Sequence, residues 1–259
     1  MKTILVTGAT QGLGHATAEA LARQGHSLII HGRDAAKLTQ TANTLRETSV
    51  PVATEAADLS DLSQVAAMAQ RLTATHPRID VLMNNAGVLR TATPEAGGLD
   101  VRFVVNTLAS ALLARRLLPV IPRDGRIIHL SSAAQAQVDP KALVGKTRLR
   151  DMDAYAQSKL AITLWNQHFG DSHPDGPLSL AVNPGSLLAT RMVREGFGTS
   201  GNDLNIGVDI LIRAALTDEF ATATGRYFDN DAGRLARRYP DATADDIAAR
   251  IDALLTDHL

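Results

Sequence analysis

The chain has 259 residues, 45% of them hydrophobic and 20% charged, a composition that supports a packed core and argues against disorder. Its formal net charge of -1 offers no basic field for nucleic acid or an acidic membrane, and the absence of cysteine excludes disulfides, thiolate nucleophiles and thiolate-bound metals. The apolar run at residues 4–6 is too short for a secretion signal and no run of about 18 apolar residues occurs, so the reading is a soluble, cytoplasmic chain without a membrane span.

Short apolar runs alternate with longer helical patterns. Strands are expected at 4–6, 27–30, 50–53, 81–83, 126–130, 178–182 and, more weakly, 226–228. Most are continuously apolar, as strands covered on both faces are. Helices are expected at 12–24, 34–47, 61–75, 99–118, 153–169 and 203–216. This alternation gives an α/β fold: a mostly parallel, seven-stranded, doubly wound sheet with helices on both faces. No linker or repeat divides the chain, so 1–259 reads as one domain. Thr243-Ala244-Asp245-Asp246 resembles a capping box opening a terminal helix, with Ile247, Ile251, Leu254 and Leu255 on one face. Two stretches, 133–152 and 186–202, look irregular, and the second reads as a substrate loop or lid with Leu187, Leu188, Met192, Val193 and Phe197 as its apolar residues.

Thr7-Gly8-Ala9-Thr10-Gln11-Gly12-Leu13-Gly14 joins the first strand to the first helix. Glycines there let backbone approach a pyrophosphate, which the free N–H groups of a helix N-terminus stabilise. A dinucleotide is therefore expected on this turn. At the end of the second strand, His31-Gly32-Arg33-Asp34 places no carboxylate at position 32 for a ribose hydroxyl. Arg33 can pair with a 2′-phosphate, while Asp34 suits the cap of the next helix. NADP is expected, with NAD the alternative.

Tyr155 and Lys159 stand four apart on a helical pattern and so share a face. A phenol is a poor acid-base at neutral pH, but a neighbouring ammonium favours its phenolate. Ser131-Ser132 ends the fifth strand, where a hydroxyl can polarise a carbonyl, and Asn84-Asn85-Ala86-Gly87 ends the fourth. Asn106 lies within an apolar helical pattern and needs a buried partner. His129 lies in an apolar strand and reads as a satisfied core residue. Arg115-Arg116 reads as a solvated face or part of a subunit interface. No histidine pair has metal-ligand spacing, and no metal is expected.

Together these motifs resemble the short-chain dehydrogenase/reductase superfamily in its single-domain, Rossmann-fold branch. The likeness runs from residue 3 to about 190 and includes Asp58-Leu59 and Asn183-Pro184-Gly185. It implies that Tyr155 is the general acid/base, that Lys159 lowers its pKa and binds the nicotinamide ribose, that Ser132 positions the substrate oxygen, and that Asn106 holds a relay water. It also implies that the cofactor lies against Gly8, Thr10, Gln11, Gly12, Leu13 and Gly14. Asp58 and Leu59 would meet its adenine, Asn85 its adenosine ribose region, and Pro184 and Gly185 its nicotinamide side, with Ala86, Gly87, Tyr155 and Lys159 also in contact with it. Ser132 and Tyr155 are 23 residues apart, wider than the family's commoner spacing, and Gly225-Arg226-Tyr227-Phe228 ends the sheet. In both respects the chain is similar to the retinol dehydrogenase and WW-domain oxidoreductase group. Thr190 stands five residues after Gly185, one beyond the position from which the family's threonine meets the carboxamide.

The expected function is NADP(H)-dependent hydride transfer to or from a small carbonyl/alcohol substrate, in a homodimer or homotetramer. A non-enzymatic NADP-binding redox sensor and a sugar-nucleotide epimerase are the alternatives.

Overall fold

The computed structural model describes residues 1–259 except for the side chain of Phe197, so that lid residue lies outside the described residues. Strands β1 (Thr3–Val6), β2 (Ser27–Gly32), β3 (Val52–Ala56) and β4 (Val81–Asn84) alternate with helices α1 (Gly12–Arg23), α2 (Ala35–Arg46) and α3 (Leu62–Thr75). A small hairpin of β5 (Glu95–Ala96) and β6 (Leu99–Asp100) leads into one long helix, in which α4 (Val101–Phe103) and α5 (Ala109–Leu117) flank a π-helical turn at Val104–Leu108. There follow β7 (Arg126–Leu130), α6 (Pro140–Leu143), α7 (Asp151–Ser172), β8 (Leu178–Asn183), α8 (Arg191–Phe197), α9 (Leu204–Leu216), β9 (Arg226–Asp229), β10 (Arg234–Leu235) and α10 (Asp241–Leu255).

The main sheet has eight strands, not seven, in the order β10-β9-β8-β7-β4-β1-β2-β3. All pairings are parallel except that of β10 with β9. The extra strand escaped the sequence pattern because it is two exposed residues long and buries no face. The chain winds outward in both directions from β1 and β4, so their carboxyl ends border the crevice where such sheets take ligands.

Alternate residues of each strand serve opposite faces, and both faces are covered. Leu5, Ile29, Leu82 and Ile127 pack with residues of α3, α5 and α7, whereas Ile4, Val6, Ile30, Val81, Met83 and Ile128 pack with residues of α1, α2 and α9. This is why the strands read as continuous apolar runs. Asp34 caps α2 as expected, accepting from Ala36 N and Lys37 N at 3.0 and 3.1 Å.

Two further expectations are corrected. α10 begins at Asp241, after Pro240, and Thr243 lies inside its first turn rather than at a capping box. Arg115 and Arg116 are not a solvated face. Arg115 Nε donates to Asp252 Oδ1 at 3.0 Å while its guanidinium lies 5.7 Å from the Trp165 ring centre, and Arg116 Nε donates to His258 O at 2.7 Å. Both fasten α10 and the turn after it to the long helix. That helix, Val101–Val120, is long and apolar enough to cross a membrane by composition alone, but 72% of its most apolar window is buried in the fold.

His129 is fully buried, as expected, but only half satisfied. Nδ1 meets Asn84 Nδ2 at 3.3 Å, and Nε2 has no partner. Burial pulls its pKa from 6.5 down to about 3. Because the folded value lies below the unfolded one, its contribution to stability is full above pH 6.5 and is lost as pH falls toward about 3. Wild-type unfolding free energy should therefore drop by up to about 1.4 kcal/mol per pH unit more than that of His129→Gln across this window, read by urea unfolding. Parallel pH dependences in the two proteins would refute this.

Candidate active site

The glycine turn is shaped by close backbone approach. Gly8 and Gly12 take φ of +66° and +59°, and a Cβ at Gly8 would lie 3.0 Å from Ala86 Cα. A Cβ at Gly14 would lie 2.6 Å from Gly8 O and would also strike the Asn85 amide. Asn85 Nδ2 donates to Thr7 O at 2.8 Å, and Ala86 N donates to Thr7 Oγ1 at 3.0 Å. The ends of β1 and β4 are thereby locked together across the crevice. Gln11 makes no side-chain cap on α1, so the first N–H groups of that helix are left for an anion.

Beneath the turn lies His31, a residue with no expected role. Its Nδ1 accepts from Gly8 N at 3.2 Å and its Nε2 meets Ala57 O at 3.0 Å, so the neutral ring carries its proton on Nε2. Burial lowers its pKa and keeps it in that form. Its only signal was a polar residue in an otherwise apolar strand. Gly32 is a steric necessity: a Cβ there would lie 2.6 Å from Thr10 Cγ2. Arg33 is exposed at the crevice edge, and Asp34 is committed to its helix cap. Asp58 Oδ1 accepts from Ser60 N and Oγ at 2.9 and 2.8 Å, beside the buried Leu59.

Beyond the crevice, α7 brings Tyr155 and Lys159 to the loop after β7. The Tyr155 hydroxyl lies near that of Ser132, close enough for the serine to favour its phenolate. Ser132 Oγ also accepts from Ala134 N at 3.1 Å. Lys159 is buried, with Nζ donating to Leu130 O at 2.7 Å and lying 5.7 Å from the Tyr155 ring centre. Burial pulls the Lys159 pKa down to about 8. It pushes that of the half-buried Tyr155 up, against the nearby Ser132 hydroxyl, which lowers it.

Asn106 sits in the π turn, a local unwinding that often marks functional positions. Its Oδ1 accepts from Val88 N at 2.8 Å, and its Nδ2 donates to Val88 O and Ser158 Oγ at 3.0 and 2.9 Å. The buried amide thus ties the segment after β4 to α7. Gly87 passes between the two, where a Cβ would lie 3.3 Å from Asn106 Oδ1 and 3.5 Å from Lys159 Nζ.

Segment 186–202 bridges the crevice. Asn230 Nδ2 holds Pro184 O at 3.0 Å, and Gly185 follows with φ +121°. Thr190 caps α8, accepting from Val193 N at 3.3 Å, and its Cγ2 would lie 3.7 Å from a Cβ on Gly12. Gly207 packs against Leu13 and Leu188. At the far side, Arg90 Nη1 donates to Glu195 O at 3.1 Å, and Gly196 abuts Leu89. The other irregular stretch contains α6 and is held by the buried Arg102, which pairs with Asp100 at 3.0 Å and with Asp151 and donates to Leu89 O at 2.6 Å. The site therefore joins an anion-ready glycine turn to a Ser-Tyr-Lys group under a bridging segment.

A family model described as short chain dehydrogenase matches residues 2–198. The chain belongs to the short-chain dehydrogenase family. As a short-chain dehydrogenase it is an oxidoreductase, and its relatives fall where the motifs pointed. It is 31% identical over 275 residues to human retinol dehydrogenase 13, covering 96% of this chain and 82% of that one. It is 35% identical over 242 residues to a candidate daunorubicin C-13 ketoreductase of Streptomyces sp. (strain C5), covering 88% and 82%. Among solved structures, a candidate short chain dehydrogenase of Escherichia coli CFT073 complexed with NADPH aligns with a TM-score of 0.72 at 26% identity, covering 88% of this chain and 96% of that one.

Proposed function

We propose that this short-chain dehydrogenase transfers hydride between NADP(H) and a small carbonyl/alcohol substrate, with Tyr155 as general acid/base. The observation that carries the reading is that α7 sets Tyr155 near Ser132 at the end of β7, with the buried Lys159 ammonium 5.7 Å from the Tyr155 ring centre and bonded to Leu130 O. The residues present fit the dinucleotide. Gly8, Gly12 and Gly14 with the uncapped N-terminus of α1 offer a cradle for its pyrophosphate, flanked by Thr10, Gln11 and Leu13. Asp58, Leu59, Asn85, Ala86 and Gly87 border the adenosine side, and Pro184 and Gly185 the nicotinamide side. The cofactor supplies the hydride.

Ser132 orients the substrate oxygen through its own hydroxyl hydrogen, since Ala134 N already occupies an acceptor position on Oγ. Tyr155 gives up its proton to that oxygen during reduction and takes it back during oxidation. Lys159, with a pKa of about 8, is charged at neutral pH and favours the phenolate at the moment of transfer. Asn106 has its side chain engaged by Val88 and Ser158, so a relay water would rest on its backbone. An NADPH-consumption screen against ketones, aldehydes and quinones tests the reading, and no turnover anywhere in the panel would favour a redox sensor instead. No observation favours an epimerase.

NADP rather than NAD is supported by the pair Gly32 and Arg33: Thr10 leaves no room for a carboxylate side chain at 32, and the guanidinium next to it is exposed. Arg33→Ala should raise KM for NADPH about 10- to 100-fold, the worth of one charge-assisted contact, with little change for NADH. Equal losses with both cofactors would remove Arg33 from phosphate binding.

The proposal takes 1–259 as one cytoplasmic domain with 186–202 as its lid. The same reading makes it a dimer or tetramer. Light scattering reads that state directly.

A further inference from the structure

A polar network runs from the C-terminal part of the chain to the loop that carries Ser132. Tyr227 Oη donates to Ser132 O at 3.0 Å. Tyr239 Oη donates to Gln135 Oε1 at 2.7 Å, and Gln135 Nε2 donates to Ser132 O and Ser131 Oγ, both at 3.0 Å. Ser131 Oγ donates onward to Lys159 O at 3.0 Å, an oxygen that Thr163 Oγ1 also reaches at 2.8 Å. The carbonyl of Ser132 thus receives two donors, and the network ends on the backbone of the helix that carries Tyr155 and Lys159.

These contacts bear on orientation. Residue 131 follows the last residue of β7, and no helix begins until Pro140, so neither strand nor helix hydrogen bonds fix the Ser132 peptide plane. Access for Tyr227 depends on two glycines: a Cβ on Gly170 would strike the backbone of Gly225, so α7 and the turn before β9 approach at a distance no side chain permits. Burial raises the pKa of both phenols, which keeps them donors across the working pH range.

We propose that Tyr227 and Tyr239, acting with Gln135, are positioning residues that aim the Ser132 hydroxyl at the substrate oxygen. The inference rests on the carbonyl/alcohol reading above. The chain has three tyrosines, and all of them converge on one serine: Tyr155 lies near its side chain, Tyr227 bonds its carbonyl, and Tyr239 reaches that carbonyl through Gln135.

A double-mutant cycle tests this, with NADPH oxidation followed using phenanthrenequinone as the carbonyl probe and NADPH binding followed by fluorescence. Tyr227→Phe should lower kcat about tenfold with NADPH Kd unchanged, and the same substitution in Ser132→Ala should cost less than about twofold, because there is no longer a hydroxyl to aim. Tyr239→Phe, one bond further from the serine, should give a smaller loss with the same dependence, and it serves as the test if Tyr227→Phe fails to fold. Equal fold losses in the two backgrounds, or no loss in either, would overturn the positioning role. A fully active Ser132→Ala would instead overturn the serine's own role in the reaction.

Discussion

Tyr155→Phe is expected to lower kcat by about three orders of magnitude, within the range that a positioned general acid contributes. The substitution removes one oxygen and leaves the ring in its half-buried place on α7. The lost group is the hydroxyl near Ser132, on the ring whose centre lies 5.7 Å from the Lys159 ammonium. Burial holds the phenol above its ordinary pKa, so it carries a proton at neutral pH, as the acid in carbonyl reduction must. NADPH affinity should change little, because the glycine turn and Arg33 lie outside this contact. Single-turnover reduction of a probe ketone, together with NADPH fluorescence titration, separates the two effects. A variant that keeps more than about a tenth of wild-type kcat would exclude Tyr155 as the proton donor.

Lys159→Met should abolish activity and yet stabilise the protein at neutral pH. The ammonium is buried, and its pKa falls from 10.5 to about 8 on folding. With the folded value depressed, the cost is fully present below about pH 8 and vanishes above pH 10.5. A fall of that size corresponds to about 3 kcal/mol, from which the lost hydrogen bond to Leu130 O subtracts about 1 kcal/mol. A net gain of about 2 kcal/mol at pH 7 should appear as a raised Tm and shrink toward zero or below as the buffer approaches pH 10.5. An unchanged or lowered Tm at pH 7 would contradict a strained ammonium. The opposed signs are those of a functional charge held in an apolar place.

The parts legible in the sequence are those that local physics writes into adjacent residues. Burial on both faces makes β1, β2, β4 and β7 continuously apolar, and a turn with positive φ at Gly8 and Gly12 demands glycine. Tyr155 and Lys159 share a helical face for the same local reason. What could not be read depends on distant partners or on very short elements. β10 and the β5–β6 hairpin have strands of two residues, too few for a period to emerge. Arg115 looked solvated because Asp252, which pairs with it, lies 137 residues away. Tyr227 and Tyr239 meet the Ser132 loop across 95 and 104 residues, and no spacing rule connects them. Arg102, buried among Asp100, Asp151 and Leu89, organises an insertion that carried no periodic signal at all.

The order of the strands also sets the order in which a growing chain can become competent on the ribosome. β1 to β4 and the glycine turn are all present once Gly87 has emerged, so the crevice at their carboxyl ends draws on chain made before the Ser132 loop. Ser132 and Gln135 emerge later, but the phenol that meets the Ser132 carbonyl and the one that meets the Gln135 amide arrive only with Tyr227 and then Tyr239. Translation therefore supplies the residues of the glycine-turn crevice well before the phenols that meet the Ser132 loop.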